Sequence, residues 1–136
     1  MQQLVISAHF EGQADAPSGE PPTTDPSATS VSILVDGPLE VTDASYENHV
    51  VFTGPSTFTE TGTLRFDGGE IDVDTAGEGT LNPSPEEGLL QGAVVWTVTA
   101  ARGSMEGAQG LVTSNFLLDP ATGRVDDQQV AVLFVP

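Results

Sequence analysis

The stretch Ala101-Arg102-Gly103-Ser104-Met105-Glu106-Gly107-Ala108-Gln109-Gly110-Leu111-Val112-Thr113-Ser114-Asn115-Phe116 decides the fold. Glycines punctuate its first half and an apolar run fills its second. Gly103 permits a positive φ or a tight turn, while Gly107 and Gly110 admit a bulge or the close approach of a neighbouring strand. No helical period follows them, so they do not form a phosphate-cradling loop ahead of a helix, and a nucleotide cofactor is disfavoured. The stretch reads as a hairpin joining two strands, with Met105 as a flexible apolar plug in its turn.

Outward from the hairpin, Leu89–Ala100 alternates as a strand. Ala93, Val95, Thr97 and Thr99 share one face, and Val94, Trp96, Val98 and Ala100 the other. Both faces are largely apolar, so both should be covered. In a small barrel one face fills the lumen, and the outer one then meets a second subunit or a packed loop. Gln109–Leu118 is the return strand, Asp119–Gly123 a turn, and Gln128–Val135 the last strand. Toward the N-terminus, Gln3–Gly12 places Leu4, Ile6, Ala8 and Phe10 on one face and Val5, Ser7, His9 and Glu11 on the other. Residues 13–30 hold four prolines and no large apolar side chain, which predicts a long, mobile loop or lid. Strands are further expected over 31–41, broken at Asp36-Gly37-Pro38, over 50–52, over 56–66 and over 70–75. Ala44–His49 is polar and reads as a loop, and Asn82–Gly88 as a turn-rich connection. About eight strands joined by turns give an all-β barrel or sandwich, one domain over residues 1–136, and eight strands suit a barrel whose interior side chains nearly fill or that holds one small ligand.

Composition narrows the function. The chain has 136 residues, no cysteine, no lysine and a net charge of −17. That excludes a disulfide scaffold, a thiolate metal site and a cysteine nucleophile. It also disfavours nucleic acid and anionic membranes as partners. No apolar run approaches the length of a membrane span and the N-terminus lacks a secretory pattern, so a cytoplasmic protein is expected.

The hairpin resembles the late hairpin of the allene oxide cyclase and dirigent barrels, which carry a Gly-x-Gly-x-Phe-x-x-Ala-x-Gly type of segment. Gly103, Met105, Ala108 and Gly110 occupy that frame, Ala101 stands in place of the first glycine, and Met105 replaces the aromatic. The likeness extends over Gly92–Phe116. It implies an eight-stranded antiparallel β-barrel, allene oxide cyclase-like or calycin-like, with a pocket in the lumen, and a homo-oligomer, here a dimer or trimer. Barrel enzymes that cyclise polyketides share the plan, although their aromatic-rich C-terminal segments have no counterpart here.

Candidate site residues are few. His9 and Glu11, two apart on a strand, point the same way and form an acid–base pair if their face lines the lumen; if Leu4, Ile6 and Phe10 line it, His9 is a surface or interface residue. Asn115 and Arg65 are further candidate catalytic groups, the arginine for polarising a carbonyl. Trp96, Tyr46, Met105 and Phe116 are the candidate substrate-binding residues. No metal-ligand spacing is evident, and no cofactor is expected. The leading expectation is a cyclase or isomerase acting on a reactive, largely apolar, polyketide- or lipid-like molecule in the lumen. The alternatives are a lipocalin-like carrier of a small apolar ligand and a structural barrel with a filled lumen.

Overall fold

Alternating apolar and polar side chains build ten strands and no helix in the computed structural model, which describes residues 1–136. They are β1 (Gln2–Gln13), β2 (Thr23–Thr24), β3 (Ser27–Asp36), β4 (Ala44–Phe52), β5 (Thr57–Phe66), β6 (Gly69–Thr75), β7 (Gly79–Pro83), β8 (Leu90–Gly103), β9 (Gln109–Leu118) and β10 (Arg124–Val135). Eight of them close an antiparallel ring in the order β1-β3-β4-β5-β6-β8-β9-β10 and back to β1. β2 adds to β4 outside the ring, and β7 bridges β5 and β8 beyond the end of β6. Closure leaves no long open edge to template pairing with another chain.

Two expectations give way here. The loop over 13–30 is shorter: β1 runs to Gln13, β2 interrupts the segment, and β3 already begins at Ser27. The start of β3 pairs with β1, Gly12 opposite Ala28 and Gln13 opposite Ser27, and Ala28 is buried in the core. The segment 44–49 is not a loop but the first part of β4. Ala44, Tyr46, Asn48 and Val50 point inward and are buried, while Glu47 and His49 point out. Polar composition there reflects one wet face and one polar residue inside.

The anticipated hairpin is present. β8 ends at Gly103, whose φ of +65° is a left-handed conformation, and a Cβ on it would lie 2.3 Å from the carbonyl oxygen of Gly68. Only glycine meets both demands. Met105 is fully buried in the turn and caps one end of the barrel. Around it, Leu4, Leu64, Ile71, Val112 and Leu133 fill that half of the lumen without exposure above 1%. The opposite half is organised differently.

Candidate functional site: an acidic cavity at the open end of the barrel

At the end away from Met105, the inward positions cease to be uniformly apolar. Continuing the inward phase of β5 from Phe66 and Leu64 leads through Gly62 to Glu60 and Phe58. Continuing that of β10 from Leu133 and Ala131 leads through Gln129 to Asp127 and Val125. Glu60 is 6% exposed and Asp127 is 2% exposed. Both line a cavity of ≈ 50 Å³ together with Tyr46, Trp96, Ser114 and an apolar rim that includes Phe52, Phe58 and Phe116. Ala14, Thr24 and Pro26, from the segment between β1 and β3, close over one side.

Each carboxyl is held by neutral donors. Tyr46 Oη donates to Asp127 Oδ2 at 2.8 Å, Gln129 Nε2 to the same oxygen at 2.8 Å, and Ser114 Oγ to Oδ1 at 2.6 Å. Asn48 Nδ2 donates to Glu60 Oε2 at 2.8 Å and Trp96 Nε1 to Oε1 at 3.2 Å. Asn48 can reach Glu60 because its amide lies across Gly62, where any Cβ would sit 1.7 Å from Asn48 Oδ1. Edge-on ring contacts link Phe10 to Tyr46, with centroids 5.1 Å apart, and Tyr46 to Trp96, at 6.3 Å. The donors are therefore fixed by packing before any ligand arrives.

Burial sets the protonation of the site. It pushes the Glu60 carboxyl up to about 7; the Asn48 hydrogen bond opposes this, the nearby Asp127 charge adds to it, and the Trp96 hydrogen bond opposes it. Burial also raises Asp127, against the bonds from Ser114, Gln129 and Tyr46, and it raises the Tyr46 phenol, assisted by the Asp127 charge. A carboxyl that titrates near neutrality can both accept and return a proton at physiological pH.

The candidates named from sequence divide by face. Trp96, Tyr46 and Phe116 line the cavity. Met105 is buried in the end cap, away from the cavity lining. His9, Glu11, Asn115 and Arg65 are corrected: none reaches the lumen. The Leu4–Ile6–Phe10 face of β1 turns inward, which sends His9 and Glu11 outward. There His9 Nε2 lies 3.0 Å from Asp126 Oδ1, and Glu11 meets Arg124 at 3.2 Å. Asn115 follows inward Ser114 and is exposed on the outer row that continues through Gln128 to His9. Arg65 pairs outside with Glu70 at 3.3 Å and Glu47 at 3.6 Å. His9, Glu11 and Asp126 are the one grouping with metal-ligating composition, their ligand atoms within 4.8 Å of one another. It lies on the outer surface, with Glu11 already engaged by the Arg124 guanidinium.

Glu60, Asp127, Asn48, Ser114 and Gln129 were not singled out from sequence. A signal was there: Glu60 is in phase with Phe58, Leu64 and Phe66, and Asp127 with Val125, Ala131 and Leu133. The last strand was expected to start at Gln128, which left Asp127 just outside it. No protein-family model, curated protein or solved structure matches this chain.

Proposed function

We propose that the protein is a cofactor-independent isomerase or cyclase that binds a small, largely apolar, polyketide- or lipid-like molecule at the open end of the barrel and moves a proton with Glu60. The observation that carries this reading is a buried carboxyl, poised near neutral pH, at the wall of an apolar cavity. Glu60 as carboxylate takes a proton from an acidic C–H of the substrate and, as the acid, returns it to another carbon of the same molecule. The net change is an isomerisation, with no oxidant and no second substrate. Trp96 and Asn48 hold Glu60 in place, and the aromatic rim holds a reactive conformer, which by itself supplies much of a rate acceleration. The cavity takes only part of a substrate, so the remainder rests among Phe52, Leu81 and Leu118 at the rim.

Self-association belongs to the same reading. On the outer wall, one row across five strands runs Leu34, Ser7, Val130, Thr113, Val95, and the next runs Val5, Val132, Leu111, Thr97. None of these side chains is charged. Carboxylates stand only at the ends of the second row, Asp36 beyond Val5 and Asp74 beyond Thr97; in a chain of net charge −17, the uncharged stretch between them is where two copies approach. Its partner in our reading is a second copy of the chain.

An apolar β,γ-unsaturated ketone tests the catalytic reading, with formation of the conjugated enone followed by absorbance. The expected result is a saturable rate that rises with pH through about 7 and falls at least a hundredfold in Glu60→Gln. Binding of the ketone without turnover supports the carrier alternative instead. No binding at all supports the filled structural barrel.

A further inference from the structure

The lumen contains carboxyl groups and no cationic side chain. Glu60 faces the cavity from β5, Tyr46 from β4, Trp96 from β8, Ser114 from β9, Asp127 from β10 and Thr24 from β2. Asn48 and Gln129 complete the polar belt behind them. Not one of these is a cation. The chain has no lysine, and Arg65, Arg102 and Arg124 are all bound to carboxylates on the outside. Both histidines are also outside, His9 against Asp126 and His49 against Asp25.

Buried carboxylates ordinarily find a cationic partner or give up their charge. Here the fold supplies only neutral donors, and it does not saturate the oxygens. A carboxylate offers about four acceptor positions. Glu60 uses two and Asp127 three. Around them stand the rings of Tyr46, Trp96, Phe58 and Phe116. Aromatic faces attract cations, more strongly when both are withdrawn from water. A site with spare carboxylate acceptors, π-rich walls and no positive side chain is complementary to positive charge and repels negative charge.

Building on the reading of this cavity as the ligand site, we propose that its ligand carries a cationic centre, a protonated amine or a quaternary ammonium, at the end that enters the cavity, on an otherwise apolar body. The ammonium sits between Glu60 and Asp127 and supplies the positive charge that the fold withholds. The cavity of ≈ 50 Å³ has room for such a headgroup, and the apolar body extends along the rim. A carboxylate-headed ligand of the same size is refused, because no donor cation waits for it. The proposal also gives the buried Asp127 a role that proton transfer by Glu60 does not use.

The test uses hexylamine, 1-hexanol and heptanoate, which share a slim alkyl body and differ in headgroup charge. Binding to the full chain is read by emission of Trp96, the single tryptophan, and by calorimetry. High salt screens the exposed carboxylates so that surface binding of the amine does not intrude. We expect hexylamine to bind at least tenfold more tightly than hexanol, and heptanoate most weakly. Glu60→Gln, close to isosteric, should weaken hexylamine at least tenfold and leave hexanol within twofold. Asp127→Asn is the second variant and should act in the same direction. If hexanol or heptanoate binds as well as hexylamine, or if the variants weaken hexanol and hexylamine alike, the proposal is overturned while the cavity remains a ligand site. If none of the three binds, the ligand-site reading falls with it.

Discussion

At the scale of the residue, Glu60 is the most consequential side chain. Its ordinary carboxyl value is 4.5 and burial raises it to about 7. The folded protein therefore holds this proton across a range where the unfolded chain has released it. Stability from this group is full below about pH 4.5 and is lost as the pH rises through about 7, beyond which the difference is constant. Across that window the group alone shifts the unfolding free energy by about 3 kcal/mol. Glu60→Gln keeps the shape and removes the titration, so its stability relative to the parent should improve by an amount of that order between pH 5 and 8. Urea unfolding at the two pH values checks this; an unchanged difference between parent and variant would falsify the buried, titrating state of Glu60. Asp72 acts in a separate window with the opposite sign. The Arg102 guanidinium holds it at about 2 against an ordinary 3.8, so its contribution is present above 3.8 and fades only in stronger acid.

At the scale of the element, the hairpin between β8 and β9 and the strand β4 show how local and non-local demands differ. Gly103 meets a left-handed φ and a carbonyl at 2.3 Å from its would-be Cβ, whereas Gly77 has φ +81° and open space around it. Gly103→Ala should therefore cost more than Gly77→Ala, with about 1–3 kcal/mol expected from the backbone strain alone at either site. Chemical denaturation of the two variants side by side decides it, and equal losses would mean that the Gly68 carbonyl yields freely. Met105→Ala, which empties the end cap, should cost about 2–5 kcal/mol while leaving Trp96 emission unchanged, since Met105 is not among the residues around the cavity. In sequence the hairpin was plain, because glycine spacing and flanking apolar runs are local. β4 was not, because Ser45, Glu47, Asn48 and His49 look like a loop until Tyr46 and Val50 find the barrel interior.

At the scale of the whole molecule, charge and apolar surface are set against each other. Leu34 is 77% exposed, Leu111 51%, Val130 42% and Phe134 42%, all on the outer wall of neighbouring strands. A pairing through this wall is opposed only by the long-range repulsion of two anionic bodies, which salt screens. Self-association should thus strengthen as salt rises, the reverse of an interface held by ion pairs. Sedimentation at low and high salt measures it, and Leu111→Glu or Val130→Glu should return the protein to a monomer at micromolar concentration with Trp96 emission intact. A parent chain that stays monomeric at every salt concentration would remove the second copy as the partner of this wall.

The sequence by itself determined the all-β class, the strand alternation, the hairpin and its buried methionine, and the absence of any lysine or cysteine. These follow from periodicity, turn chemistry and composition, each readable within a few residues. It also identified Tyr46, Trp96 and Phe116 as pocket residues, since large rings in alternating strands have few other places to go. Only the tertiary structure decided which face of β1 turns inward, and with it that His9, Glu11, Asn115 and Arg65 belong to the outside. Only closure of the ring showed that Glu60 and Asp127 share one cavity, 67 positions apart in the chain. The physical reason is that a lone carboxylate on an alternating strand resembles a solvated one. Its burial becomes visible only when the strands that supply its donors, β4, β8, β9 and β10, are brought around it.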